Sequence, residues 1–174
     1  GPFNVLTSPH EHVVENCIKD LTTHGEVFDL MNLSRTPYNK INIHIGGAYG
    51  DKKSAMERFC TNFHRLPESV KTRLTVENDD KATMYSVKDL YEGVYCKIGI
   101  PIVFDYHHHR FCNGGLSEED ALEVAISTWN NMYLLFIIQN QETSNKKMIR
   151  FVLRLIQIMC MITLTPMVMR LTLW

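Results

Sequence analysis

A chain of 174 residues, 45% of them apolar, is long enough to bury one ordinary core, and a formal charge of −1 excludes binding to nucleic acid by bulk positive charge alone. Contact with a polyanion must come from a local patch or from metal ions. Five cysteines (Cys17, Cys60, Cys96, Cys112, Cys160) form no Cys-x-x-Cys pair, which argues against a disulfide framework and a structural zinc site and fits a reducing compartment.

The chain opens at Gly1 inside what reads as a strand, with no initiator Met and no signal-peptide pattern. Gly1-Pro2 also matches a protease scar, so the natural N-terminus is expected upstream. Residues 4–6 are a short apolar stretch closed by Ser8-Pro9. Helical spacing runs over residues 13–31, with Val14, Ile18, Leu21, Val27, Phe28 and Met31 on apolar faces. Lys40-Ile-Asn-Ile-His-Ile-Gly46 reads as a buried strand ending in a glycine loop. Residues 54–64 form a second amphipathic helix and residues 73–78 a strand. A third helix is predicted over residues 86–97 and a strand over residues 98–105. Ser117 opens a fourth helix, with Glu118, Glu119 and Asp120 in the first turn where the helix dipole favours them. Alternating strands and helices at this spacing predict parallel strands joined by crossover helices. Periodicity alone does not separate a closed barrel from an open sheet. After Trp129 the character changes: Glu142 is the last acidic residue, and no Gly or His follows. The tail is no good membrane span, because Arg150, Arg154, Gln157, Pro166 and Arg170 leave no run of about 18 apolar residues.

The chemistry lies at strand ends. His44, Glu77 and Asp105 each fall at the C-terminal end of a different apolar strand, where a (β/α) barrel places its site, and His108 follows Asp105 by three positions. Mixed imidazole and carboxylate donors on neighbouring strand ends suit Zn²⁺, Mn²⁺ or Fe²⁺. One strand-end His is usually structural; four candidates on three consecutive strands favour metal. His107, His108 and His109 cannot all point the same way, so the non-ligands pack or hydrogen-bond around the site. His10, His12 and His64 are expected in solvent, and His24 as a structural helix residue. The loop Gly46-Gly-Ala-Tyr-Gly-Asp-Lys-Lys53 lets backbone approach a ligand, and Lys52 with Lys53 can meet phosphate, though glycine turns and surface lysines are common.

Asn42-Ile-His-Ile-Gly-Gly-Ala-Tyr-Gly-Asp-Lys52, Arg73-Leu-Thr-Val-Glu-Asn-Asp-Asp80, Ile100-Pro-Ile-Val-Phe-Asp-Tyr-His-His-His109 and Thr128-Trp129 closely resemble the UV-damage endonuclease family, in order and at family spacing. The resemblance implies an α/β chain with part of a TIM barrel over residues 1–129, with terminal strands missing or disrupted. It implies a divalent metal cluster, manganese first and Zn²⁺ or Mg²⁺ as alternatives. Its metal ligands would be His44, Glu77, Asp105 and His108, with Glu77 and His44 catalytic and Asn78, His107 and His109 around them. The implied substrate is double-stranded DNA with UV lesions, nicked 5′ of cyclobutane dimers, 6-4 photoproducts and some abasic sites. Tyr49 and Lys52 are expected at the DNA. A family His-Pro-Gly-Gln-aromatic motif would end near Phe3, with Pro2 in place of its Gln and its His ligand lying before Gly1. A monomer without a membrane partner is implied, inside the cell, in nucleus or cytoplasm according to organism. A sugar isomerase or epimerase on a similar metal barrel is the second enzyme reading, disfavoured by the Glu-Asn-Asp-Asp and Asp-Tyr-His-His-His strings. A non-catalytic degenerate fragment is the third.

Residues 130–174 carry none of the remaining family motifs. Joining the last base of each codon to the first two of the next permits Val-Pro-Val-Val-His-Tyr-Ser-Glu-Ser-Arg-Asp across residues 133–143. Residues 150–159 permit Ile-Arg-Pro-Gln-Ala-His-Ser-Asp-Tyr, and residues 166–174 Thr-Tyr-Gly-Tyr-Glu-Val-Asp-Ile-Met. The expectation is a one-base frame shift near Asn130, against the alternative of a genuine apolar tail that docks on the barrel or a membrane.

Overall fold

The structure is a computed structural model that describes residues 5–129. Pro2, Phe3 and the expected frame-shifted tail lie outside the described residues. Helix α1 (Glu11–Leu30) buries Val14, Cys17, Leu21 and Gly25 along one stripe. Glycine weakens a helix interior, yet a Cβ at Gly25 would meet Ser69 Oγ at 2.8 Å, so its absence lets α1 press on α3 (Glu68–Lys71). Val27 and Met31 do not line an inward face as expected: they are 45% and 61% exposed. Position 27 lies roughly 200° around the helix from Gly25, which turns it to solvent.

Three short parallel strands follow, β1 (Ile41–Ile43), β2 (Leu74–Glu77) and β3 (Ile102–Val103), in the order β1-β2-β3. Helices α2 (Lys52–Phe63) and α3 connect β1 to β2. Helix α4 (Val87–Leu90), a π turn (Tyr91–Tyr95) and α5 (Cys96–Ile98) connect β2 to β3. Helices α6 (Tyr106–His109) and α7 (Glu118–Ser127) come last. Parallel strands need such crossovers, as the sequence pattern predicts. Helix starts carry their caps: Asp51 accepts from Lys53 and Ser54 N–H, Ser86 forms a capping box with Asp89, and Ser117 accepts from Asp120 N–H. The Asp51 cap starts α2 two residues before the expected Ser54.

Register sets the two faces of the sheet. Asn42 lies opposite Thr75 and Glu77 opposite Val103. Alternation then puts Ile41, Ile43, Leu74, Val76 and Ile102 on one buried face, and Asn42, Thr75 and Glu77 on the other. The strand expected over residues 98–105 is shorter than its apolar run. Ile98 closes α5, and Gly99 caps it at φ 70°, a left-handed conformation that favours glycine. The outer edge of β3 is covered by the end of α7: Ile102 N–H donates to Thr128 Oγ1 at 2.9 Å, and Trp129 Nε1 donates to the Ile102 carbonyl at 2.8 Å.

Arg73, fully buried just before β2, ties the scaffold together. Its guanidinium donates to the carbonyls of Ser69 (2.8 Å), Leu33 (2.5 Å), Ser34 (3.2 Å) and Gly25 (3.4 Å), and lies 2.8 Å from the Asp29 carboxylate. A buried cation is tolerable only with partners of this kind. Among the described residues no helix is long and apolar enough to cross a membrane.

Candidate metal centre

His44 is the first residue after β1, Glu77 the last of β2, and Asp105 caps α6 just beyond β3. Strand alternation points Asn42, Thr75 and Glu77 to the same face, so the polar residues of β1 and β2 gather where the strands end. One donor atom from each of His44, Glu77 and His108 lies within 4.8 Å of the others. Two ligands at about 2.0–2.2 Å from one ion sit up to roughly 4.4 Å apart, so this trio needs only small side-chain adjustment to share a metal. The donor set therefore fits a divalent ion.

Asp105 is not in that trio. Its Oδ1 accepts the His108 N–H at 3.0 Å and so caps α6, while Oδ2 lies 3.9 Å from His108 Nε2, within the span of two ligands on one ion. Capping fixes where His108 stands. Nδ1 of His108 is 2.8 Å from the Asn78 carbonyl; with the proton there, Nε2 keeps a lone pair for a ligand bond. Asn78 clamps two strand ends, donating from Nδ2 to the Asp105 carbonyl at 3.0 Å and accepting the Asp105 N–H at 2.8 Å. Glu77 accepts from the Asn42 amide, whose Oδ1 accepts from Thr75 Oγ1 at 2.9 Å. His44 Nδ1 lies 3.0 Å from Asp79 Oδ1, a partner that the sequence reading missed. Its only signal was a second carboxylate in Glu77-Asn-Asp-Asp80.

Burial pushes the Glu77 carboxyl above the usual range and Asp105 adds to the push, while His44, His108 and Asn42 oppose it. The hydrogen bond to Asp79 raises the His44 imidazole. A pocket that concentrates unlike charges around a costly buried carboxylate has the electrostatics of a cation site. The other two histidines of the triplet do not join the donors. His107 is exposed and packs edge-on against Phe111 at 5.2 Å. His109 is 3% exposed, stands 5.3 Å from the Phe104 ring, has Nδ1 without a hydrogen-bond partner, and is pushed to lower pKa by burial. His10, His12 and His64 are exposed as expected. His24, expected to be structural, is an exposed residue of α1, its Nδ1 bonded to the Asp20 carbonyl at 2.9 Å.

A cleft of about 920 Å³ opens beside the donors, with His44, His108, Asp79, Lys81, Lys40 and His24 among its walls. Lys81 and Lys40 carry positive charge there, which the sequence reading also missed. Beyond His44 the loop turns through Gly46 at φ 111° and Tyr49 at φ 50°. Tyr49 is 49% exposed, with the Arg58 guanidinium 5.8 Å from its ring centroid. Lys52 is paired with Asp89 at 3.2 Å and lies 5.9 Å from the Tyr85 ring.

Imidazole and carboxylate donors at the C-terminal ends of neighbouring parallel strands define an α/β protein with a metal-type site. The model of the family "UV-endonuclease UvdE" matches residues 1–154, and the chain belongs to that family. It is 42% identical over 151 residues to the UV DNA damage endonuclease of Bacillus pumilus (strain SAFR-032), covering 85% of this chain and 45% of the relative. To the UV DNA damage endonuclease of Bacillus mycoides (strain KBAB4) it is 41% identical over 135 residues, 76% of this chain and 40% of the relative. The crystal structure of SacUVDE superimposes with a TM-score of 0.67 at 38% identity, over 74% of this chain and 42% of that one. The chain thus spans less than half the length of these relatives. The family match crosses the boundary at Trp129 drawn from composition.

Proposed function

We propose that this chain forms part of a divalent-metal endonuclease that nicks double-stranded DNA 5′ of UV photoproducts, on an arc of a (β/α) barrel. The observation that carries the proposal is the convergence of His44, Glu77 and His108 at parallel strand ends in a chain of the UvdE family. Manganese is the assigned ion, with Zn²⁺ or Mg²⁺ as alternatives. A divalent metal, when bound, supplies Lewis-acid polarisation of a phosphodiester and lowers the pKa of water. His44, Glu77 and His108 would hold it, with Asp105 as a fourth donor; Asn42 and Asn78 keep Glu77 and His108 in place. Tyr49 offers an exposed ring for stacking on DNA, and Phe3 and Pro2 belong to the segment expected to probe the lesion. Lys52 would exchange Asp89 for a phosphate. Family membership favours this reading over a sugar isomerase or epimerase.

The test is incision of UV-irradiated supercoiled plasmid in Mn²⁺ by the full chain. Nicking that scales with UV dose and is lost in His108→Ala supports the proposal. Bound manganese without nicking confines the chain to a metal-binding segment of the enzyme, and isomerisation of a sugar panel refutes the endonuclease assignment. For residues 130–174 we keep the frame-shift proposal, supported by three family-like segments in order. The family match through residue 154 runs across the proposed break. Sequencing the gene across codon 130 decides it: codons that do not encode those segments in the shifted frame rule it out.

A further inference from the structure

The Glu77-Asn-Asp-Asp80 string contributes more than Glu77. Asp79 is 7% exposed and its carboxylate is held from both sides. Oδ1 faces His44 Nδ1 at 3.0 Å, and Oδ2 accepts the Tyr85 N–H at 3.3 Å. The Asp79 N–H in turn donates to the Tyr85 carbonyl at 2.9 Å, closing the loop between them. Tyr85, itself 0% exposed, donates its hydroxyl to the Gly47 carbonyl at 3.2 Å, in the glycine loop that follows His44. The carboxylate is therefore fixed before any ligand arrives, and the backbone leaving His44 is fixed by the same residues. The His44 side chain is 43% exposed, so little packing holds its ring. A half-exposed neutral imidazole is free to carry its proton on either nitrogen, and a proton on the metal-facing one blocks coordination.

The geometry points to Asp79 as the positioning residue of His44: it accepts the Nδ1 proton and leaves Nε2 as the ligand nitrogen, with Tyr85 locking the carboxylate in place. This inference rests on the metal-centre reading above and adds the residue that selects the tautomer. A carboxylate in this position also raises the basicity of the ring towards a metal.

The experiment uses the full chain with ¹⁵N-labelled histidine and Zn²⁺ as a diamagnetic probe. At a pH high enough for its ¹⁵N shifts to report a neutral ring, the metal-free chain should show His44 protonated at Nδ1. Asp79→Asn should keep the near-UV circular dichroism and the Zn²⁺ stoichiometry but bind Zn²⁺ roughly 10–100-fold more weakly. Tyr85→Phe should weaken binding in the same direction by less. A His44 proton on Nε2 in the parent overturns the inference, and this measurement does not depend on any variant folding. So does a folded Asp79→Asn chain that binds Zn²⁺ within about twofold of the parent, or one with lower stoichiometry, which would make Asp79 a ligand. A parent chain that takes up no Zn²⁺ overturns the metal-centre reading itself, a different failure from equal binding by parent and variant.

Discussion

Replacing Glu77 by Gln should move stability in opposite directions with and without metal. Glu77 is 8% exposed, and burial, with Asp105 beside it, pushes its carboxyl pKa up. A carboxyl that holds its proton more tightly in the folded state stabilises the fold least once ionised. Stability is then lost as pH rises from the unfolded value through the raised folded one, and the full cost is present above that window. Gln keeps the shape and an oxygen to accept from Asn42, and removes the charge. Relaxing a site of this kind yields ~0.5–2 kcal/mol, and at roughly 2–4 °C per kcal/mol for a chain of this size the variant should melt a few degrees higher in EDTA. Metal reverses the order. An ion at about one hundred times its Kd stabilises the parent by ~2.7 kcal/mol, or roughly 5–11 °C, and the variant without its anionic donor should gain little. Thermal unfolding followed by circular dichroism, in EDTA and in MnCl₂, reads both arms. An equal manganese-induced rise in parent and variant refutes Glu77 as a ligand. A lower melting point in EDTA refutes the charge-burial account, because the lost strength of the Asn42 bond would then outweigh the relieved carboxylate.

Arg73→Met should cost ~3–5 kcal/mol in equilibrium urea unfolding, because a fully buried cation with four carbonyl partners leaves Asp29 and those carbonyls without it; a loss under ~1 kcal/mol would show them satisfied by water. Acid should expose the Asp29 pair. Its carboxyl is lowered from 3.8 to about 2 by hydrogen bonds from Arg35 and then Arg73, so its contribution is full above the unfolded value and is lost as pH falls through that window. Urea midpoints taken at descending pH should fall more steeply there for the parent than for Asp29→Asn. Tyr49→Ala should weaken binding to a UV-irradiated duplex by ~1–3 kcal/mol in fluorescence anisotropy and leave the manganese-induced rise in melting unchanged; a change in that rise would place Tyr49 in the metal centre instead of at the DNA.

Helices and the crossover pattern were legible because capping and period are local. Ser86 and Ser117 announce α4 and α7 by residues that satisfy the first orphan N–H groups, whatever the rest of the chain does. Strand length was not legible. The apolar run through Ile98-Gly-Ile-Pro-Ile-Val reads as one strand, yet Gly99 ends a helix within it, and only two residues pair with β2. Apolar content reports burial, and burial is common to a helix end and a strand. His44 and Glu77 were legible because a polar residue closing an apolar strand has few reasons to be there, and His108 because it follows the strand-end Asp105 by three positions. Asp79 was not, because its partner lies 35 positions away and is set by the parallel register of β1 and β2. Lys81 and Lys40 were likewise invisible: which surface lysines line a cleft is a fact of tertiary packing.

The register also explains how the donors come to stand together. Each is held by a bond from a neighbouring strand or strand end: Glu77 by Asn42 of β1, His108 by the Asn78 carbonyl after β2, His44 by Asp79 after β2. Asn78 in turn grips both backbone groups of Asp105. A shift of β2 by one residue would turn Glu77 to the opposite, apolar face of the sheet and break every one of these bonds together. Sheet register and donor geometry are therefore one constraint. A substitution such as Asn78→Ala, which removes no proposed ligand, should loosen the metal site by freeing the Asp105 backbone that carries α6 and His108.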